Sequence, residues 1–149
     1  MRTVKELIAE LNRRAQKAGI CDDFRDRVAQ ATELREIFAY MQTTPGIEFV
    51  IKKRVPTLTL FRELAQYDIE PYGIYVDMGE ISLFEREKIT LVGNTSAKIF
   101  CSLTKRFCVN LLYGARAEIY ASGYSVIHVE KDKRGEVKFF AKDNAIILE

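Results

Sequence analysis

The side chains able to do chemistry are few, and two of them fall at a telling interval. His128 is the only histidine, and Cys108 precedes it by twenty residues. A thiol held beside an imidazole can be activated as a nucleophile, so the pair matters if residues twenty apart become neighbours in space. An ordinary pair of exposed or half-covered side chains is the favoured reading, and a Ser-His-Asp triad around His128 is opposed by the lack of a G-x-S-x-G elbow. Glu80, Glu85, Glu87 and Glu118 are the acids a polysaccharide-cleaving protein would need in pairs. Yet Glu118 stands in a charge series with Lys98 and Lys138, and no two acids are placed for acid/base work. Asp22, Asp23 and Asp26 cluster in sequence, where acids in the first turn of a helix complement its dipole.

Three cysteines (Cys21, Cys101, Cys108) without a CxxC spacing argue against a zinc site or a disulfide scaffold. Eight glycines are scattered with neither phosphate-loop nor dinucleotide spacing. No catalytic residue, metal or cofactor is therefore expected, and the chain is read as non-enzymatic. Two binding candidates remain. Phe100, Tyr120 and Phe140 repeat every twenty residues and would form an aromatic column, suited to a sugar platform or a protein interface. The favoured alternative is that the N-terminal helices, which need something to pack on, fold back and cover that column. Lys52, Lys53 and Arg54 form a basic triplet and a possible nucleic-acid contact patch. Arg13, Arg14 and Lys17 need only a solvated helix face.

Charge limits the partners. Lys and Arg number 23 against 21 Asp and Glu, a net charge of +2, and neither half carries a strong positive excess. Nucleic acid is consequently not the favoured partner. No apolar run reaches the roughly 18–20 residues that cross a bilayer, so no membrane association is expected. Met1-Arg2-Thr3-Val4-Lys5-Glu6 leads into a mixed-charge stretch without the apolar region of a secretory signal. Free thiols fit a cytoplasmic protein.

The elements that must position these side chains fall into two parts, a helical region over residues 1–72 and a repeat region over 73–149. Thr3 and Glu6 make a capping box ahead of a helix with Val4, Leu7, Ile8, Leu11 and Ala15 on one face, stopped by Gly19. Helices are expected after Asp22 and around Leu34–Met41, the latter ended by Thr44-Pro45-Gly46. Alternation in Ile47-Glu48-Phe49-Val50-Ile51 reads as a short strand. Pro56-Thr57 opens another short helix.

From Gly73 onward the helical period disappears. Ala97-Lys98-Ile99-Phe100-Cys101-Ser102, Ala117-Glu118-Ile119-Tyr120-Ala121-Ser122 and Val137-Lys138-Phe139-Phe140-Ala141-Lys142 share one pattern at a spacing of twenty. Ile89, Val109 and Val129 keep the same register, as do Phe107, Ile127 and Ile147. A fixed period marks units that bury their apolar faces against their neighbours. The fold class is therefore α+β: N-terminal helices with a short strand, then a short β-solenoid of about three coils. The alternative is an antiparallel meander or sandwich, favoured locally by the hairpin-like Lys131-Asp132-Lys133-Arg134-Gly135. The Lys98, Glu118, Lys138 series favours the solenoid, because alternating sign helps only where copies are adjacent.

Cys21-Asp22-Asp23-Phe24, Thr32-Glu33-Leu34, Gly46-Ile47-Glu48-Phe49, Pro56-Thr57-Leu58, Gly73-Ile74-Tyr75-Val76-Asp77 and Leu91-Val92-Gly93-Asn94 carry a resemblance. The chain resembles uncharacterised small proteins of Bacteroides-type gut bacteria and their prophages, which have helices followed by β coils. The resemblance implies the two-part layout and a mobile-element origin, with assembly into a phage particle as the alternative to a cytoplasmic location, and no catalytic residues. The expected role is a structural or protein-interaction module that self-associates or binds another protein. Carbohydrate binding or cleavage along the aromatic strip is the alternative, and a nucleic-acid accessory role the second.

Overall fold

The computed structural model describes residues 1–149, apart from the side chain of Asp23. The chain divides into two compact units, Met1–Tyr72 and Gly73–Glu149.

The first unit holds five α-helices among the described residues: α1 Val4–Lys17, α2 Asp22–Gln30, α3 Leu34–Met41, α4 Thr44–Lys53 and α5 Leu58–Leu64. Thr3 caps α1, its hydroxyl accepting from the Glu6 amide at 3.1 Å, and Leu7, Ile8, Leu11 and Ala15 form the buried stripe. Gly19 then takes a left-handed φ of 85°, a conformation that costs a residue without Cβ little. The start of α3 is organised by Glu36, whose carboxylate accepts from the Thr32 and Glu33 amides at 2.7 and 3.0 Å.

Residues 47–51 are helical, not a strand. Thr44-Pro45-Gly46 begins α4 rather than ending α3, because Thr43 supplies a cap that accepts from the Gly46 amide at 3.2 Å. Proline in the first turn removes only an amide that has no helical partner there. Gly46 is required by contact: a Cβ at this position would lie 2.2 Å from the Tyr40 carbonyl oxygen. Ile47 and Val50, spaced for one helical face, are buried.

The second unit is a parallel β-solenoid of about four coils. Its strands are β1 Ile74–Val76, β2 Gly79–Phe84, β3 Lys88–Val92, β4 Thr95–Cys101, β5 Arg106–Leu112, β6 Arg116–Ala121, β7 Val126–Lys131, β8 Glu136–Ala141 and β9 Ile146–Leu148. They alternate between two parallel sheets, β1-β3-β5-β7-β9 and β2-β4-β6-β8. Lys88 pairs with Cys108 and Cys108 with His128, a step of twenty residues. The first coil is shorter: Ile74 pairs with Thr90 and Phe84 with Phe100, a step of sixteen. It therefore escapes a search at period twenty, and the coils exceed the expected three.

Inward positions alternate as a strand requires. Ile89, Ile99, Phe107, Val109, Ile119 and Ile127 have no exposed surface. The Ile99–Ile119–Phe139 column runs through three coils in register.

The corners between the sheets are secured by side chains that accept backbone amides. Asp132 is only 6% exposed. Its carboxylate accepts from the Arg134 and Gly135 amides of its own corner and from the Tyr113 amide of the coil before, at 3.0, 3.1 and 2.7 Å. Residues 131–135 thus turn the chain from one sheet to the other, and the hairpin expected there is absent. Asp77 accepts from Asn94 at 2.8 Å and Asp143 from Gly123 at 3.1 Å. Thr95, fully buried, accepts from the Met78 amide at 3.0 Å and donates to the Val92 carbonyl at 3.1 Å. Buried corner amides and carbonyls need such partners, since each left unpaired would cost as much as a lost hydrogen bond.

Candidate functional site

The outer face of the four-stranded sheet carries three columns, each set by the strand register. Glu80, Ser96, Arg116 and Glu136 form the first; Ser82, Lys98, Glu118 and Lys138 the second. The third is aromatic, and it contains four rings rather than three. Phe84, Phe100, Tyr120 and Phe140 stack with centroids 4.9, 5.0 and 4.8 Å apart and interplanar angles of 8°, 12° and 11°. Phe84 lies outside the twenty-residue series because the first coil is four residues shorter. Its signal in the sequence is the sixteen-residue step to Phe100.

Parallel in-register pairing forces this stacking, since equivalent side chains stand one strand spacing apart, about 4.8 Å. Each ring pair is worth about 0.5–1.5 kcal/mol beyond the area it buries. Phe100 and Tyr120 are half-buried, whereas Phe84 is 64% and Phe140 49% exposed. The inner rings have a neighbour on each face, so the column presents ring edges to solvent. Only the two end rings keep a face free.

A shallow groove follows the column, banked on its other side by Ser102, Ser122 and Lys142. At one end Glu85 accepts from the Ser102 hydroxyl and amide at 2.7 and 2.6 Å and from the Leu103 amide at 3.1 Å. Burial opposes ionisation of Glu85, but these hydrogen bonds outweigh it and hold the carboxyl below its usual range. The Tyr120 hydroxyl donates to Glu118 at 2.9 Å, and that hydrogen bond raises the phenol above its ordinary value.

The other candidate residues are placed separately. Cys108 and His128 are ladder neighbours, with Phe107 and Ile127 inside and the thiol and imidazole on the outer face. His128 Nε2 lies 2.8 Å from a Glu130 carboxylate oxygen, while Nδ1 is buried without a hydrogen-bond partner. The ring is oriented toward the acid rather than the thiol, so the register brings the two residues together without joining them. Glu87 pairs with Lys105 at 3.7 Å, and Glu85 is occupied as a cap. Among the described residues no group of three His, Cys, Asp or Glu side chains is gathered to hold a metal ion.

Lys52 and Lys53 occupy the last turn of α4 and Arg54 caps it with a left-handed φ of 57°. All three are exposed. Cations at a helix C-terminus complement its dipole, which accounts for the triplet within the helical unit. Arg13 and Arg14 both bond Glu10, at 2.8 and 2.6 Å. Among the described residues no helix is long and apolar enough to cross a membrane. No protein-family model matches this chain, and neither does any curated protein or solved structure.

Proposed function

We propose that the chain is a non-enzymatic structural or protein-interaction module, in which the coil unit is a stiff presenting surface. The observation that carries this reading is the four-ring ladder at 4.8–5.0 Å. A sugar platform works by offering an open ring face to the apolar face of a pyranose. Here the stacking consumes the faces of Phe100 and Tyr120, and the strip offers ring edges beside a column of charged residues. Apolar edges bordered by alternating charge are the composition of a protein contact, an apolar centre with a polar rim. Such a module would serve in a cytoplasm or built into a phage particle, the setting implied by the resemblance above.

Affinity electrophoresis through gels cast with soluble polysaccharides, and a mobility assay with duplex DNA, test the ligand class. The expected result is unchanged migration in both. Retardation by a polysaccharide that disappears in Phe140→Ser would overturn the reading in favour of a sugar-binding strip. Retardation of DNA that disappears on replacing Lys52, Lys53 and Arg54 by Gln would overturn it in favour of a nucleic-acid accessory.

A further inference from the structure

The groove beside the aromatic column has the build of a small-molecule site. It encloses about 680 Å³, inside the range of about 300–1,000 Å³ usual for ligand sites. Cys101 and Ala121 turn their side chains inward, at 1% and 2% exposed, so backbone floors the groove there. Ser102 and Ser122, on the far bank, are too small to fill the space beside the rings. Successive rings are inclined by only 8° to 12°, whereas strands of an ordinary sheet turn by about 20–25°. The edges of all four rings therefore stay nearly in line over three strand spacings, about 15 Å.

An aromatic ring is positive at its edge and negative on its face. Four edges in line make one positive strip, complementary to the π face of a flat conjugated molecule lying along the column. A flexible chain would lose rotamer freedom in following so straight a wall, whereas a rigid molecule has little to lose. Charge decides which way such a molecule lies. Of the charged residues that line the groove, Lys142 stands at the Phe140 end and Glu85 at the Phe84 end. Lys142 is exposed, as is Lys138 on the other side of Phe140. The Glu85 carboxylate is held in place by Ser102 and Leu103. The groove is thus cationic at its last coil and anionic at its first, which suits a ligand with an acid group at one end only.

We infer that this groove binds a rigid, planar, conjugated monoanion, which lies lengthwise on the ring edges with its acid group at Lys142. The inference goes beyond the protein-interaction reading and stands without it. Fluorescence titration with trans-stilbene-4-carboxylate tests it, with circular dichroism confirming that each variant is folded. One probe per chain is expected to bind, with a dissociation constant below about 1 mM. Tyr120→Leu, which breaks the strip near its centre, should weaken binding about fivefold or more. Phe140→Ser removes an end ring that is 49% exposed and should weaken it about threefold, a readout that survives if Tyr120→Leu does not fold. Lys142→Gln should weaken the carboxylate about threefold and leave trans-stilbene-4-carboxamide unchanged. No saturable binding to the wild-type chain up to about 1 mM overturns the inference. So does binding indifferent to both ring variants, or a Lys142→Gln variant that holds the carboxylate as tightly as the wild type. None of these outcomes touches the protein-interaction reading, which fails instead on polysaccharide or DNA retardation.

Discussion

Truncating Ile119 probes how the coils hold one another. Its side chain is fully buried on β6, with Ile99 and Phe139 as its ladder neighbours. Ile119→Ala removes three carbon atoms, about 2.4 kcal/mol at 0.8 kcal/mol per buried methylene. The cavity left between coils that cannot collapse brings the cost to about 3–4 kcal/mol. Amide exchange in β4, β6 and β8, measured by mass spectrometry under native conditions, should then quicken about 100- to 1,000-fold. The same substitution at Ile147, which stacks on Ile127 but is only partly buried on β9, should cost about 1 kcal/mol and change exchange tenfold or less. If Ile147→Ala loosens β4 and β6 as much as Ile119→Ala does, the nearest-neighbour account of the coil is wrong.

Asp132→Ala strips three backbone amides of a charged acceptor at a corner that excludes water, and should lower coil stability by about 2–4 kcal/mol in a urea titration; a loss below 0.5 would show that water replaces the carboxylate. Burial pushes the Cys101 thiol up to about 12, so iodoacetamide at pH 8 should modify exposed Cys21 more than about 100-fold faster than Cys101 in the folded chain. Comparable rates would mean that β4 opens readily. Hydrogen bonds from Arg13 and then Arg14 lower the Glu10 carboxyl from 4.5 to about 2. Its stabilising contribution is fully present above pH 4.5 and is lost as pH falls toward 2. Carbon-detected titration of Glu10 should place its midpoint well below that of an unfolded glutamate, and Arg13→Ala with Arg14→Ala should return it.

Parallel stacking explains why so much of the coil is readable without coordinates. When equivalent residues sit one strand apart, one position keeps one environment, and Ile99, Ile119 and Phe139 or Lys98, Glu118 and Lys138 stand out as columns. The shorter first coil breaks that regularity, which conceals Phe84 and one coil. Helix α4 is hidden for a different reason. Ile47-Glu48-Phe49-Val50-Ile51 is a short apolar run that satisfies both a strand and a helix period. The arbiter is the hydroxyl of Thr43, a capping contact three residues upstream of an unassuming glycine. Lys131–Gly135 misleads similarly, because Asp132 with Gly135 three residues later suits a hairpin turn and a solenoid corner alike. The ladder as a column is legible at period twenty, but the covering of its ring faces is not. That depends on neighbouring rings arriving within 5.0 Å, a product of register and not of residue type.

The unequal coils also give the unit a mechanical signature. Every strand is bonded only to the coil before and the coil after, so tension applied along the chain loads one rung at a time in place of shearing a whole sheet. Freed in sequence, a coil with the twenty-residue step between Ser96 and Arg116 yields about 65–70 Å of slack, and the sixteen-residue coil between Gly79 and Thr95 about 55 Å. A force-extension trace of this protein would therefore be a staircase with one short tread, and the short tread would mark the end of the rod nearest β1.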